Sequence, residues 1–158
     1  MMFRWEPLSY LLQTGLAELG ARSWDESGND KHLFEYDPDW ARYGRMEKSD
    51  CLRFIAVRDD AEDLVGYASI IITDNLHDRK IPCGIVQDIF ITPEKRKGTH
   101  AGDKLMDFIE AQLASVGVQH VSVAERLMVG NVGKWLERRG YHSNERIWTK
   151  TLVKRSIH

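Results

Sequence analysis

The sequence contains only two cysteines, Cys51 and Cys83, and they lie far apart in a chain of 158 residues. This scarcity argues against a disulfide framework and a cysteine-based metal cluster, and it favours a reducing compartment such as the cytoplasm. The chain also lacks an apolar run of the roughly 20 residues that a membrane-spanning helix needs. Its first residues, MMFRWEPLSYLLQ, have no small-residue cleavage site, so we expect no signal peptide.

A strong excess of charge of either sign is also absent, since the formal net charge is −2. No overall field draws the chain to nucleic acid or to a membrane surface, and we expect neither as a partner. The basic residues within 94–97 and 138–139 are the one argument for a nucleic-acid module, but aromatic residues do not interleave with them. With neither repeat nor linker, the length predicts a single domain over residues 1–158.

Hydrophobic spacing predicts the element order ααβββαβαβ. Helices are predicted over residues 8–19, ended by Gly20, then from the Asp37-Pro38-Asp39-Trp40 start to about residue 47, then over 102–116 and 130–139. Strands are predicted over residues 51–58, 64–73, 84–92, 120–124 and 147–153. Strands that are grouped early and alternate with helices later indicate a mixed α/β sheet with helices on both faces. The unit from 84 to 124 is predicted to be a right-handed parallel crossover.

The most informative stretch is 86–106, VQDIFITPEKRKGTHAGDKLM, where a strand meets a basic loop that opens a helix. Pro93 cannot donate a ladder hydrogen bond and ends the strand, and Gly98 allows the backbone to turn. The loop offers two cations, Arg96 and Lys97. It then offers successive backbone N–H groups without helical acceptors, those of Thr99, His100, Ala101 and Gly102. Such a loop can hold a diphosphate, although a plain surface turn remains the alternative. Neither the P-loop pattern nor GxGxxG occurs.

This stretch resembles the core of the GNAT superfamily, the acetyl-CoA-dependent N-acyltransferases. The family pattern is a strand, usually a proline, then Gln or Arg, two residues, Gly, one residue, and Gly or Ala at the start of a helix. Two registers fit, starting at Arg96 or at Lys97, and they place Thr99 or His100 where the family has its first glycine. Both registers stay open at this point.

Other segments are similar to the family, and the resemblance covers residues 50–153. Asn131 precedes a short helix that ends in Gly140-Tyr141, as in the family's closing motif, and residues 64–67 are similar to its Leu-Val-Gly strand. Pro38-Asp39-Trp40, together with His77 and Asp88, resembles GNAT-like proteins encoded by tailed bacteriophages. A phage-encoded chain would act in the host cytoplasm.

The resemblance implies a mostly antiparallel mixed sheet whose central parallel strand pair splays apart to admit acetyl-CoA. Residues 50–153 would form the sheet and the cofactor-binding core, and residues 1–48 a helical segment on the substrate side. Backbone groups of Ile89, Phe90 and Ile91 would pair with the pantetheine arm, residues 96–102 would hold the diphosphate, and Asn131 would lie near the sulfur. The second substrate would be a primary amine, and no metal is implied.

An attacking amine must lose a proton, so the reaction requires a base or a water relay. Asp88 is the first candidate, because it directly precedes the cofactor-pairing residues; its alternative role is to fix the strand opening. Glu125, at the end of the following strand, is the second candidate, with a solvated strand-end charge as the alternative. His100 is interpreted as a phosphate contact or an exposed side chain, and His77 as part of the acceptor pocket or as solvated.

Many members of the family carry a tyrosine as general acid just before the final glycine, where this chain has Trp135 or Leu136. Two functions therefore stay open. One is an N-acetyltransferase that passes an acetyl group from acetyl-CoA to a primary amine by direct attack in a ternary complex. The other is a non-catalytic acyl-CoA-binding or host-factor-interaction protein with the same fold. The final predicted strand also offers a pairing edge for a homodimer.

Overall fold

One five-stranded sheet organises the part of the chain that the structure describes. The structure is a computed structural model that describes residues 1–28, 31–125 and 131–152. The strands are β1 (Met2–Trp5), β2 (Leu52–Arg58), β3 (Leu64–Asp74), β4 (Pro82–Ile91) and β5 (His120–Val123). The helices are α1 (Leu8–Gln13), α2 (Leu16–Ser27), α3 (Trp40–Lys48), α4 (Pro93–Arg96), α5 (Ala101–Ser115) and α6 (Val132–Arg138).

The strands lie in the sheet in chain order. Neighbours are antiparallel from β1 to β4, whereas β4 and β5 run parallel. Helices α4 and α5 form the connection between the parallel strands. The predicted mixed sheet, mostly antiparallel with one parallel pair, is therefore confirmed.

Successive side chains along each strand point to opposite faces of the sheet, and this alternation separates two hydrophobic clusters, one on each face. On one face, Val86 and Ile91 belong to a cluster with Leu105 of α5. On the other face, Phe90 belongs to a cluster with Leu11 of α1 and with residues of α2 and α3. We call these the α5 face and the α1–α3 face. Residues that are neighbours along β4 therefore point to opposite sides of the molecule.

The first helix differs from its prediction, because Gly15 interrupts it and Gly20 does not end it. Gly15 has a φ of +112°, a left-handed conformation that favours glycine, and it separates α1 from α2. Gly20 lies buried inside α2, where a Cβ would come within 1.9 Å of the hydroxyl oxygen of Tyr36. This glycine thus makes room for a side chain that is distant in sequence.

Strand β1 and the C-terminal segment also differ from the prediction. Met2–Trp5 pairs with β2 at the edge of the sheet, and four residues are too short a pattern to indicate a strand. Residues 147–152, predicted as most of a final strand, form no strand, and Ile147, Trp148 and Leu152 are 79%, 84% and 86% exposed. Strand propensity depends on burial against a neighbouring element, and these side chains are exposed in the described chain. Residue 153 lies outside the described residues.

A buried ion pair joins the N-terminal segment to the sheet. The guanidinium of Arg58 donates two hydrogen bonds to the carboxylate of Glu6, at 2.8 Å and 2.6 Å. It also donates to the hydroxyl of Thr14 and to the backbone carbonyl of Glu62. The side chains of Arg58 and Glu6 are only 2% and 6% exposed, so each charge depends on the other for its solvation.

Replacing Glu6 by Gln leaves Arg58 charged, buried and without its carboxylate. We expect Glu6→Gln to lower the free energy of unfolding by about 3–5 kcal/mol, measured by urea denaturation. Glu62→Gln is the matched control, since it removes an exposed carboxylate paired with Arg4. Water and salt screen that exposed pair, so its removal should change the free energy of unfolding little. Equal losses in the two variants would contradict a special role for the buried pair.

The same pair makes stability depend on pH. Burial alone would raise the pKa of Glu6, but hydrogen bonds from Arg58 and Arg4 outweigh burial and lower that pKa below its ordinary value of 4.5. A lowered carboxyl pKa gives stability that is complete above the unfolded-state pKa and is lost as pH falls through the folded-state pKa. We therefore expect the stability difference between wild type and Glu6→Gln to stay constant from neutral pH down to about pH 4.5, the ordinary carboxyl pKa, and to shrink as the pH falls further.

Candidate functional site

The parallel pairing of β4 and β5 ends before β4 does. The last pair is Val86 with Val123, and no described residue pairs with this edge of β4 over residues 87–91. A register shift opposite Ser69 and Ile70 leaves Gln87 as an extra residue on β4, and such bulges are common beside active sites. We call residues 87–91 on this side the open edge of β4. The parallel pair thus separates before β4 ends, and in the described residues it lies at the edge of the sheet rather than at its centre.

The open edge presents backbone rather than side chains at the predicted cofactor residues. The side chains of Phe90 and Ile91 are buried, and that of Ile89 is partly buried on the α5 face. On its other side, each of these three residues pairs with β3. Among the described residues, the N–H and C=O groups that point away from β3 have no strand partner. That Ile89, Phe90 and Ile91 pair with the cofactor stays a prediction.

The loop between α4 and α5 exposes a series of backbone N–H groups. No backbone carbonyl of the described residues accepts from the N–H groups of residues 97–103, and the first bond into α5 runs from Lys104 to His100. Gly98 has a φ of +69°, so the turn uses a conformation that favours glycine. The loop residues 97–100 are exposed. The start of a 15-residue helix therefore faces open space with its positive dipole end.

The conformation of His100 favours one of the two motif registers. His100 has a φ of +52°, the left-handed region in which glycine is favoured. The family's first glycine thus corresponds to His100, and the pattern starts at Lys97 and ends at Gly102. A Cβ at Gly102 would lie 3.7 Å from the ring of Trp135, an ordinary contact that explains why Gly or Ala suits this position. Ala101 is buried behind the loop.

The predicted cations of the loop differ in their surroundings. Arg96 pairs with Glu26 of α2, and Arg22, one helical turn earlier, pairs with Glu94 of α4. Lys97 is exposed, and His100 is exposed with its Nδ1 3.8 Å from a carboxylate oxygen of Asp103. Lys97 and His100 are therefore accessible, whereas Arg96 already has a carboxylate partner.

Asp88, the first catalytic candidate from the sequence, lies on the α1–α3 face. Its neighbours Ile89 and Ile91 face α5, and its carboxylate accepts a hydrogen bond of 3.2 Å from the hydroxyl of Ser69. The negative charge of Asp88 also reaches two phenols that sequence reasoning missed. Burial, then Tyr43, then Asp88 raise the pKa of Tyr36 to about 12, and burial followed by Asp88 raises the pKa of Tyr43.

Glu125 and Asn131 lie at the start of α6. An oxygen of Glu125 accepts a hydrogen bond of 2.8 Å from the backbone N–H of Gly133, so this carboxylate caps the positive end of α6. Asn131 is the residue before the helix, exposed and with a φ of +69°. This contact gives Glu125 a structural role, and its assignment as second base stays a prediction.

Helix α6 is attached to α5 through a polar cleft on the α5 face. The indole N–H of Trp135 donates a 2.6 Å hydrogen bond to Asp103, and Arg139 bridges Asp107 and Glu110. Burial alone would lower the pKa of Arg139, but the two carboxylates outweigh it and raise that pKa. The cleft has a volume of about 460 Å³, but it holds neither Asp88 nor the loop amides. We interpret it as the packing contact that holds α6 in place.

Two kinds of feature are absent from residues 1–28, 31–125 and 131–152. These ranges contain no group of three histidine, cysteine or acidic side chains arranged to hold a metal ion. They also contain no helix with the length and apolar character that crossing a bilayer demands. His77, a candidate for the acceptor pocket, lies exposed in the turn between β3 and β4. Its backbone N–H donates a hydrogen bond to the side-chain oxygen of Asn75.

The chain is similar to known proteins both in sequence pattern and in structure. The model of the acetyltransferase (GNAT) family matches residues 14–141. An acetyltransferase from Trypanosoma brucei has a similar structure, with 19% identity, a TM-score of 0.69 and coverage of 96% of this chain and 99% of that one. Glucosamine-6-phosphate N-acetyltransferase from Arabidopsis thaliana has 13% identity, a TM-score of 0.68 and coverage of 96% and 98%.

A third similar structure is a predicted acetyltransferase with acetyl-CoA from Clostridium acetobutylicum, with 10% identity, a TM-score of 0.72 and coverage of 99% of both chains. Identities this low establish a shared fold and no more. Among the curated proteins, none matches the chain. The family match spans most of the sequence and agrees with the splayed sheet and the amide-lined loop, and on that ground the chain belongs to the acetyltransferase (GNAT) family.

Proposed function

We propose that the protein is an N-acetyltransferase that transfers the acetyl group of acetyl-CoA to a primary amine by direct attack in a ternary complex. The observation that carries the proposal is the open edge of β4, which leads to the amide-lined loop before α5. An extended arm that ends in a diphosphate fits such a site, because the edge offers strand-like pairing and the loop offers an anion site.

Each part of the site has a distinct task in this proposal. Backbone groups of residues 89–91 bind the pantetheine arm, and one of their N–H groups donates to the thioester carbonyl oxygen and polarises it. The N–H groups of residues 97–102 hold the diphosphate, helped by Lys97 and His100. Asn131, at the start of α6, contacts the arm near its sulfur end. Acetyl-CoA supplies the activated acetyl group.

Asp88 is the proposed base. The amine nitrogen forms a bond to the acetyl carbon, the carbon–sulfur bond breaks, and the sulfur leaves with the electron pair of that bond. The proton lost by the amine passes to Asp88 directly or through a water molecule. The hydroxyl of Ser69 holds the carboxylate in position from the neighbouring strand. Asp88 suits this task because it precedes the cofactor-pairing residues and faces the side of the sheet away from the α5 face.

A non-catalytic acyl-CoA-binding or host-factor-interaction protein is the second candidate. The observation that favours it is the composition of α6, Val-Gly-Lys-Trp-Leu-Glu-Arg, which includes no tyrosine to protonate the leaving sulfur. Phage origin, cytoplasmic location and a homodimer stay predictions, since the comparisons do not bear on them.

Gly98→Val tests the loop. A β-branched residue at a φ of +69° is strained, and we expect it to weaken acetyl-CoA binding about tenfold in calorimetry. Gly117→Val is the matched control, because Gly117 has a φ of +87° and equally open surroundings but follows α5 at the helix's other end. We expect equal losses of stability and an affinity change at Gly98 only. Unchanged affinity in Gly98→Val would remove the loop from the cofactor site.

Asp88→Asn tests the base. The amide keeps the shape of the side chain and cannot accept the proton, so we expect kcat to fall by about 10²-fold or more, with little change in acetyl-CoA affinity. Asp74→Asn, at the exposed end of β3, is the control and should leave both quantities unchanged. A wild-type turnover in Asp88→Asn would exclude the assignment.

Release of free thiol from acetyl-CoA separates the two candidate functions. We expect purified protein to release thiol when primary amines are added, with acetylated amine formed in equal amount by mass spectrometry. Saturable acetyl-CoA binding without amine-dependent thiol release would favour the non-catalytic protein. Absence of saturable binding would contradict both candidates.

A further inference from the structure

Four polar side chains from separate parts of the chain interact on the α1–α3 face. They are Tyr36, from the connection between α2 and α3, Tyr43 of α3, Ser69 of β3 and Asp88 of β4. We call them the phenol–carboxylate cluster. Only Asp88 was singled out by the sequence, and the mechanism above leaves both tyrosines unused.

Packing holds the two phenols in place. The ring of Tyr36 lies 6.4 Å from that of Trp24, and its hydroxyl rests on α2 where Gly20 leaves room for it. The ring of Tyr43 meets Trp40 edge-on at 5.5 Å. Trp40 and Tyr43 in turn pack against the buried cluster of the α1–α3 face, which includes Phe90. The hydroxyls are therefore held on half-buried, packed rings rather than on mobile exposed chains.

The charges around this cluster are mainly negative. Asp88 supplies the one carboxylate within it, and Glu35, Asp37 and Asp39 are exposed on the connection that carries Tyr36. Arg42 is the cation whose charge reaches Tyr43. A phenol oxygen can accept a hydrogen bond from an ammonium group, and a carboxylate beside it compensates the positive charge. A phosphate-bearing amine would meet repulsion from the same groups.

We propose that Tyr36, Tyr43 and Asp88 form the acceptor subsite, and that it takes a cationic primary amine without an anionic group. The inference rests on the proposed acetyl transfer and extends it by naming the substrate class. Tyr36 and Tyr43 position the ammonium group against Asp88, which then takes its proton. The cluster lies on the α1–α3 face, so the amine approaches the open edge from the side opposite α5.

Binding of 1,4-diaminobutane to the protein saturated with coenzyme A tests the subsite without depending on catalysis. We expect saturable binding by calorimetry and at least about tenfold weaker binding in Tyr36→Phe, because a hydrogen bond to a charged group is lost. Gly20→Ala is the second variant. It adds a good helix former to α2 yet displaces the Tyr36 hydroxyl, so it should weaken the diamine while α2 stays folded.

Tyr141→Phe is the matched control. Its hydroxyl donates to the carboxylate of Glu110 on the α5 face, away from the cluster, so diamine binding should not change. Glucosamine 6-phosphate serves as the anionic probe and should bind at least about tenfold more weakly than the diamine. No saturable diamine binding, preference for the sugar phosphate, or wild-type diamine affinity in both Tyr36→Phe and Gly20→Ala would overturn the subsite.

Thiol release with the same diamine distinguishes this inference from the proposed function. Tyr36-dependent diamine binding without thiol release would retain the subsite and contradict the acetyl transfer. If thiol is released and the KM for the diamine is the same in wild type, Tyr36→Phe and Gly20→Ala, the proposed acetyl transfer is retained. The proposed subsite is then contradicted.

Discussion

The early end of one strand pairing shapes the whole site. Parallel strands β4 and β5 are paired up to Val86 and Val123, and β4 continues without a described partner on that side. Unpaired backbone groups within a sheet are costly unless water or a ligand satisfies them, so the open edge is a natural place for an extended ligand. The bulge at Gln87 interrupts the β3–β4 ladder at the level where the β4–β5 pairing ends, and it leaves Asp88 opposite Ser69.

In the proposed reaction, the two faces of the sheet separate the two substrates by charge. The loop before α5 offers backbone N–H groups with Lys97 and His100, which suit a diphosphate. The opposite face carries Asp88 and two phenols, which suit an ammonium group. Since neighbouring residues of β4 point to opposite faces, a single strand can serve both sides and bring the reacting groups together at its open edge.

The sequence predicted those parts of the fold that depend on local pattern. Strands 51–58 and 64–73 were found because β-branched and aromatic residues fit a pleated surface, and the loop at 96–102 because its glycines and cations adjoin a helix start. Tyr36 was missed because its position depends on Gly20, a contact across the fold. The same glycine was misread as a helix end, since only the packing of Tyr36 explains it. The register of the loop required the backbone angle of His100.

Two ion pairs between α2 and α4 connect the α1–α3 face with the loop before α5. Arg96 holds Glu26 and Arg22 holds Glu94, while Trp24 of the same helix packs on Tyr36. In the proposed function the diphosphate lies beside these pairs, because Lys97 directly follows Arg96, so α2 is anchored next to the loop that would hold the cofactor. Because both pairs are exposed, dissolved salt screens them together. If the proposed sites are correct, ionic strength would therefore affect both of them jointly rather than one at a time.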